Sequence, residues 1–387
     1  MCGKHLALLP TGLAQGKTLM KNEFIFHDEE DYFSLKKEGR QARKFAQKRD
    51  RSKYKKTDQD RRQDAPTILP SNLKKGLIIR IRPQQFFVSS DGETFVCSLR
   101  GALKKETSKQ KNLVIIGDWV WFEPQGCTGV IYNIEPRTSV LSRADHLSQQ
   151  KQHLIAANVD QVFITISVID PPLRPPIIDR YLIAAKKGGL TPIIVCNKID
   201  LLDSPDYDED ERLIARQALY ECEEIYRSIG YPFLLVSAKT DVGIDELRKR
   251  MTGHISVFSG QSGSGKSSVI NSATGLDLKV GKTVSRTRKG AHTTSSAELF
   301  DLSFGGKLID TPGIKSFGVW DLQEEDLRSY FVEIDQAGHA CKFPNCRHMS
   351  EPGCAIPEAL EAGTISGIRY QSYLSLAEEL KQEHLRR

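Results

Sequence analysis

Short apolar runs separated by turn signals fill residues 76–142. Five of these runs have the length and alternation of half-buried strands, and they lie at 77–81, 85–88, 94–99, 119–123 and 128–134. Asp91-Gly92 and Gly117-Asp118 mark turns between them. Five short strands in about 65 residues predict a small β-barrel; we favour an OB-like barrel, although an SH3-like barrel would give much the same pattern.

From residue 158 the pattern changes to longer apolar runs that alternate with helical segments. Apolar runs at 162–168, 192–196, 233–236 and 255–258 are typical of strands buried on both faces of a parallel sheet. Further strands are predicted at 297–304 and 307–309, and helices at 178–187, 209–228 and 266–273. This alternation predicts an α/β nucleotide-binding domain.

The composition of the 387 residues, 39% of them hydrophobic, allows two or three domains with cores of their own. No run of about 18 apolar residues occurs, so no membrane-spanning helix is predicted. Residues 6–14 contain Pro10 and Gly12, and four acids follow at 28–31, which favours neither a signal peptide nor a transit peptide. We therefore expect a cytoplasmic protein.

The positive charge is concentrated in residues 36–62. This segment has 13 Lys and Arg against four acids, a net charge of +9, while the whole chain carries +6. It is nearly free of Val, Ile and Leu, so we expect it to be disordered when alone. Two interpretations stay open: a solvated tail, or an arm that binds nucleic acid by releasing phosphate counterions, which we favour.

The run at 255–258 leads directly into GQSGSGKS at 260–267, the P-loop pattern in its strand–loop–helix setting. Its glycines allow backbone N–H groups to surround phosphate oxygens at a helix N-terminus. Lys266 is expected to reach the β and γ phosphates, and Ser267 to bind Mg²⁺.

Three further motifs lie at predicted strand ends. Asn197-Lys-Ile-Asp200 has the NKxD pattern, and the Asp200 carboxylate can accept hydrogen bonds from guanine N1–H and its 2-amine, which adenine does not offer. Ser237-Ala238-Lys239 is similar to the SAK loop that contacts guanine O6. Asp310-Thr-Pro-Gly313 is similar to DxxG, in which the Asp binds Mg²⁺ through water and the Gly senses the γ-phosphate. The set predicts GTP rather than ATP.

The order of these motifs is unusual, because NKxD and SAK precede the P-loop instead of following DxxG. Strand ends assemble such a site in space, so a circular permutation can preserve it. Ile314 stands where Ras-like enzymes place a glutamine that orients water. We therefore expect the hydrolytic group in 289–294, where Thr293 or Thr294 can close on Mg²⁺. On the residues alone, His292 is either an ordinary surface histidine or a group that orients water or accepts a proton.

The nucleotide-binding residues that these motifs predict are Asn197, Lys198, Asp200, Ser237, Ala238, Gly260, Gln261, Ser262, Gly263, Ser264, Gly265, Lys266, Ser267, Ser268, Thr293, Thr294, Asp310 and Gly313. Three of them, Ser267, Thr294 and Asp310, are also the expected magnesium ligands.

A Cys/His cluster follows the nucleotide motifs. Cys341, Cys346, His348 and Cys354 offer three thiolates and one imidazole, a set that suits a closed tetrahedral zinc site. We expect one structural zinc ion rather than a catalytic one. Reduced cysteines without metal remain an alternative, and His339 is a possible substitute ligand with poorer spacing.

With these residues in place, the chain resembles the ribosome small-subunit-dependent GTPase A family from about Gly76 to its end. The resemblance rests on GQSGSGKSS, the GxHTT stretch at 290–294, IDTPGIKSFG and the C-x4-C-x-H-x5-C zinc pattern. It implies that His292 is catalytic and that the protein hydrolyses GTP when the 30S subunit stimulates it, late in subunit maturation or in the release of assembly factors. Residues 1 to about 70 lie outside the resemblance.

The sequence thus predicts a multi-domain protein: a basic extension (1–74), an OB-like barrel (75–143), a circularly permuted P-loop GTPase domain (152–318) and a mainly helical zinc-binding domain (319–387). Expected partners are GTP or GDP, the 30S subunit and its 16S rRNA, with no membrane and a monomeric state. The RNA-facing barrel positions are Arg80, Arg82, Phe86 and Phe87, together with the basic stretch 100–105. An alternative function is a GTP-dependent RNA-binding switch with little hydrolysis of its own.

Overall fold

The computed structural model describes residues 71–101, 103, 113–143, 153–278, 297–310, 322, 324–349 and 351–385. The basic segment 36–62, the loop 104–112, His292, Thr293, Thr294 and Gly313 lie outside the described residues.

Five strands form a closed barrel at the start of the described chain. They are β1 (Lys74–Arg82), β2 (Gln85–Ser90), β3 (Glu93–Leu99), β4 (Trp119–Gln125) and β5 (Thr128–Ile134). The order is β1-β2-β3-β5-β4, and a β1–β4 pairing closes the ring. Strands β3 and β5 pair in parallel, Val96 opposite Thr128. This order confirms an OB-like barrel, because the strands of an SH3-like barrel follow a simple meander.

Alternating side chains build the barrel core. In β5 Gly129 and Ile131 are buried, and Ile131 packs with Ile78, Val88 and Phe122 in one apolar cluster. Asp91 and Gly92 both have positive φ, as a two-residue hairpin turn requires, and here they join β2 to β3. The predicted strand positions in this region therefore agree with the structure to within three residues.

A second, mostly parallel sheet carries the nucleotide motifs. Its strands are β8 (Gln161–Ser167), β9 (Thr191–Asn197), β10 (Phe233–Leu235), β11 (Ile255–Gly260), β12 (Glu298–Asp301) and β13 (Lys307–Asp310). The spatial order is β10-β9-β8-β11-β13-β12, and only β12 runs antiparallel to its neighbour. The P-loop strand β11 therefore lies between β8 and β13.

Helices cover both faces of this sheet. They are α1 (Pro175–Lys187), α2 (Glu209–Ser228), α3 (Ile244–Met251) and α4 (Lys266–Thr274). Strand β8 is buried along its whole length, and its neighbouring residues face opposite cores. Ile164 packs with α1 and α2, whereas Phe163 packs with α3 and α4. This is the two-sided burial that the continuous apolar runs predicted.

The sequence analysis missed two strands between the barrel and the sheet. Strands β6 (Val140–Arg143) and β7 (His153–Ala157) form an antiparallel pair of their own. The barrel also joins the second sheet directly, because Arg80 of β1 pairs with Glu298 of β12.

Within the described residues from 322 to 385, the C-terminal part has four helices: α5 (Glu324–Tyr330), α6 (Val332–Gly338), α7 (Ile356–Glu361) and α8 (Gly367–Leu385). Their apolar core contains Phe331, Ile334 and Leu376, and it includes Ile183 of α1. The C-terminal helices therefore share a core with the second sheet's helical layer. Among the described residues, no helix is both long and apolar enough to cross a membrane.

Candidate guanine-nucleotide and metal sites

The loop between β11 and α4 has the backbone of a phosphate-binding loop. Gly260, Gly263 and Gly265 all have positive φ, between 82° and 139°. A Cβ atom on Gly260 would lie 2.0 Å from the carbonyl oxygen of Thr165, so no other residue fits there. The Lys266 Nζ donates to the carbonyl oxygens of Gly260 (2.8 Å) and Gln261 (2.7 Å). The lysine thus lies along the loop whose amides would surround phosphate.

Asn197 connects the P-loop to the SAK loop. Its side-chain amide donates to the Ser264 carbonyl oxygen at 2.9 Å, and its Oδ1 accepts from the Ala238 N–H at 3.2 Å. Asn197 is 2% exposed, and a Cβ on Gly265 would lie 2.4 Å from its Nδ2. One buried amide therefore ties together three motifs that lie far apart in the chain.

Asp200 is held in one orientation by Ser237. The Ser237 hydroxyl, which is buried, donates to Asp200 Oδ1 at 2.6 Å and accepts from the Thr240 N–H at 3.2 Å. The other carboxylate oxygen of Asp200 has no such bond, and the side chain is partly exposed. A carboxylate fixed in this way can accept from two adjacent donors on a planar base.

Lys198 and the loop after β8 lie at the same edge of the sheet as Asn197 and Asp200. This loop was not predicted from the sequence as part of the site. Lys198 has φ of 65°, and its Nζ donates to the Asp170 carbonyl oxygen at 2.5 Å. Pro171, the next residue, has its Cδ 3.5 Å from where a Cβ of Gly263 would lie. The loop after β8 therefore flanks both the NKxD motif and the P-loop. Its only sequence signal is its position at a strand end, which is where ligands bind in such sheets.

The proposed magnesium ligands are only partly within the described residues. Ser267 is the second residue of α4 and Asp310 ends β13, and both are partly exposed. Burial raises the pKa of the Asp310 carboxyl above its usual value. The parallel pairing of β11 and β13, with Val257 opposite Ile309, places their carboxyl ends at the same edge of the sheet. The hydroxyl and carboxylate oxygens are the hard donors that Mg²⁺ prefers.

The Cys/His cluster lies between α6 and α7 with its four donor atoms gathered together. Atoms of Cys341, Cys346, His348 and Cys354 all lie within 4.8 Å of one another. The Cys341 and Cys354 sulfurs are 4.0 Å apart, and each lies 3.5–3.6 Å from His348 Nδ1. A tetrahedral zinc ion with Zn–S of about 2.3 Å requires sulfur–sulfur edges of about 3.8 Å and sulfur–nitrogen edges of about 3.6 Å. The donor set and its spacing therefore fit zinc.

The turn that carries Cys346 and His348 is stabilised by hydrogen bonds of its own. Glu351 accepts from the backbone N–H groups of Arg347 and Met349, both at 2.9 Å. His348 is buried and has φ of 61°, a left-handed conformation that is rare for a residue other than glycine. Burial raises the pKa of the Cys346 thiol to about 12, and burial lowers the pKa of His348. His339 is exposed and lies outside the cluster.

The barrel presents cations over aromatic rings. The guanidinium groups of Arg80 and Arg82 lie 5.5 and 5.4 Å from the ring centroid of Phe87. Arg100 lies 5.2 Å from the Tyr132 ring. Such groups can stack with nucleic-acid bases and contact phosphates. Arg80 also forms an ion pair with Glu298, so part of its charge is compensated within the chain.

Comparison with known proteins gives consistent matches. The RsgA GTPase family model matches residues 134–320. The chain is 39% identical over 295 residues to the small ribosomal subunit biogenesis GTPase RsgA of Christiangramia forsetii, covering 75% of this chain and 91% of that protein. It is 40% identical over 295 residues to the protein of the same name from Ectopseudomonas mendocina, covering 76% and 80%.

Two solved structures are also similar. The crystal structure of YjeQ from Thermotoga maritima matches with a TM-score of 0.64 and 35% identity, covering 80% of this chain and 98% of that one. The structure of YloQ, described as a circularly permuted GTPase, matches with a TM-score of 0.62 and 28% identity, covering 81% and 96%.

Proposed function

Because this chain belongs to the RsgA GTPase family, we propose that it hydrolyses GTP during the biogenesis of the small ribosomal subunit. The observation that carries the proposal is the pair of bonds made by Asn197, one to Ser264 and one to Ala238. They assemble the guanine motifs and the P-loop into one site although their order along the chain is permuted.

In this proposal the base and the phosphates bind at opposite ends of the same sheet edge. Asp200 accepts from the guanine N1–H and 2-amine, and the backbone of Ala238 faces guanine O6. The P-loop amides of 260–268 surround the phosphates, and Lys266 moves from its loop carbonyls to phosphate oxygens. Gly313 senses the γ-phosphate, as in other DxxG motifs.

Catalysis requires a water molecule aligned with the γ-phosphorus. The water oxygen bonds to phosphorus and loses one proton to an oxygen of the departing phosphate, the bond from phosphorus to the β–γ bridging oxygen breaks, and GDP leaves with that electron pair. We propose that His292 orients this water, since Ile314 has no polar group to do so. Ser267, Thr294 and Asp310 would hold Mg²⁺, which when bound neutralises charge that develops on the phosphate oxygens.

We assign the Cys/His cluster to one structural zinc ion. All four positions would be taken by Cys341, Cys346, His348 and Cys354, which leaves no open position for a substrate. Zinc would supply folding free energy to a segment with little apolar core. The spacing of the sulfur and nitrogen atoms supports this assignment.

We further propose that the barrel and the basic segment contact ribosomal RNA. The extension 1–74 contributes non-specific phosphate contacts, the barrel 75–143 contributes stacking positions such as Phe87, and residues 152–318 and 319–387 form the GTPase and zinc-binding domains. The protein would act as a monomer in the cytoplasm, where ribosomal subunits mature.

The decisive experiment is to measure GTP turnover with and without purified small ribosomal subunits. We expect slow turnover alone and a large stimulation by subunits, because the family acts on that particle. GTP-dependent binding to subunits without any stimulation would favour the alternative, a switch that binds RNA with little hydrolysis. Turnover of ATP at the same rate as GTP would contradict the guanine assignment.

A further inference from the structure

Neighbouring side chains of α8 contact two different parts of the molecule. Tyr370 and Tyr373 contact the turn that carries metal-binding residues, whereas Arg369 reaches α1 of the GTPase domain. A single helix therefore contacts both the metal-binding turn and a helix of the GTPase domain.

The two tyrosines hold the backbone of the metal-binding turn. The Tyr370 hydroxyl donates to the His348 carbonyl oxygen at 2.8 Å, and the Tyr373 hydroxyl donates to the Arg347 carbonyl oxygen at 2.9 Å. The Glu351 carboxylate accepts hydrogen bonds from two backbone N–H groups of the same turn. The left-handed backbone of His348 is costly on its own, so these bonds fix the orientation of its ring.

Arg369 is one of the most deeply buried charges in the described part of the chain. It is 2% exposed, donates to Asp179 Oδ1 at 2.5 Å and donates to Glu333 Oε1 at 2.6 Å. The Tyr226 hydroxyl of α2 also donates to Asp179, at 2.6 Å. Burial lowers the pKa of Arg369, but the Asp179 and Glu333 carboxylates raise it by more than burial lowers it. The pKa of Arg369 therefore lies above its usual value. The guanidinium is thus held charged at the interface.

Phe331 joins the two sets of contacts. The Arg369 guanidinium lies 4.3 Å from its ring centroid, and the Tyr373 ring meets it edge-on at 5.4 Å and 84°. Phe331 is fully buried, so a shift of either neighbour must disturb a closely packed ring that the other also contacts. Helix α1, where Asp179 lies, follows the loop in which Pro171 flanks the P-loop.

We propose that α8 couples the metal centre to the GTPase domain, with Tyr370 and Tyr373 as positioning residues for the metal-binding turn and Arg369 as the contact with α1. The inference rests on the proposed zinc site. Because coupling between two sites is reciprocal, zinc must favour docking of α8 on α1, and docking must tighten zinc binding by the same factor.

The first test measures zinc release from the full-length protein into the chromogenic chelator 4-(2-pyridylazo)resorcinol. The double variant Tyr370→Phe/Tyr373→Phe removes only two hydroxyl groups, so the fold is retained. Loss of groups that orient metal ligands lowers metal affinity about 10-fold to 100-fold, and we expect a corresponding increase in zinc release. Tyr220→Phe on α2, a tyrosine that is 64% exposed, is the matched control and should release zinc at the native rate.

The second test separates coupling from local support. The triple variant Asp179→Leu/Arg369→Met/Glu333→Gln removes the buried cation and both of its carboxylate partners, so no charge of this cluster is left buried without a partner. We expect it to release zinc several-fold faster, although within the described residues no hydrogen bond or ion pair joins any of the three to Cys341, Cys346, His348 or Cys354. The control is Arg180→Met/Glu379→Leu, which removes a partly exposed ion pair between the same two helices and should have no effect.

The reciprocal measurement uses hydrogen exchange of the native protein. Chelation of zinc should increase amide exchange in 175–187 of α1 as well as in α8. A native release rate in the Asp179/Arg369/Glu333 variant, even if the tyrosine variant releases zinc faster, or unchanged exchange in α1 after chelation, would overturn the coupling. A native protein without zinc would overturn the metal site and the coupling together, whereas zinc bound at full stoichiometry with unchanged release would overturn the coupling alone.

Discussion

Replacement of Asp200 by Asn should convert the guanine site into a xanthine site. In the structure Ser237 holds one carboxylate oxygen of Asp200 at 2.6 Å, so the other oxygen and the remaining lone pairs are available to a base. Guanine offers two donors, N1–H and the 2-amine. Xanthine has an oxygen at C2 instead of the amine. The side-chain NH₂ group of an Asn at position 200 can donate a hydrogen bond to that oxygen.

The expected loss of GTP affinity in Asp200→Asn follows from the two hydrogen bonds that the variant cannot form. Each hydrogen bond to a charged group contributes about 1.5–3 kcal/mol, so loss of both costs about 3–6 kcal/mol. At about 1.4 kcal/mol per tenfold change, GTP should bind about 10²-fold to 10⁴-fold more weakly to Asp200→Asn. Xanthosine triphosphate should bind the variant more tightly than GTP does.

The assay is competition against a fluorescent guanine nucleotide, with GTP, xanthosine triphosphate and ATP as competitors. Asp203→Asn is the matched control, since Asp203 lies in the same short 3₁₀ turn but is 82% exposed and paired with Arg216. The control should keep native GTP affinity. The reasoning is refuted if Asp200→Asn binds GTP within threefold of the native protein, or if the native protein binds ATP as tightly as GTP.

Four further outcomes are expected. His292→Ala should lower subunit-stimulated GTP turnover about 10²-fold to 10⁴-fold while GTP affinity, measured by competition, stays nearly native. Elemental analysis should find about one zinc per chain, and Cys346→Ala should lose it. Deletion of 36–62 should flatten the salt dependence of subunit binding, because each lost phosphate contact removes about 0.7–0.9 from the log–log slope. Asp179→Leu alone should lower the free energy of unfolding by about 3 kcal/mol, measured by denaturant titration, because Arg369 loses one of its two buried carboxylate partners and keeps only Glu333.

Each of these outcomes has a clear opposite. A native stimulated rate in His292→Ala would show that other groups orient the water. A metal-free, fully folded protein would contradict the zinc assignment. An unchanged salt slope would leave the basic segment as a solvated tail. Equal stability of Asp179→Leu and the native protein would mean that the buried pair contributes nothing.

Local sequence signals determined many element positions. Helix α2 was predicted from Glu209 to Ser228 and begins and ends there in the structure. Asp208 and Glu211 form a capping box at its start, and these interactions involve residues only three positions apart. The P-loop was equally legible, because glycine is the only residue that tolerates its backbone. The Cys/His spacing likewise predicted the four residues whose donor atoms the structure brings within 4.8 Å of one another.

Tertiary structure alone decided how these pieces meet. The parallel pairing of β3 with β5 distinguishes the OB-like barrel from its alternative, and no run of residues within either strand encodes that partner choice. The double role of Asn197 depends on Ser264, 67 residues away. Arg369 and Asp179 are 190 residues apart. Periodicity and propensity act over a few residues, whereas strand order and buried polar pairs follow from the packing of the whole chain, which only the folded molecule displays.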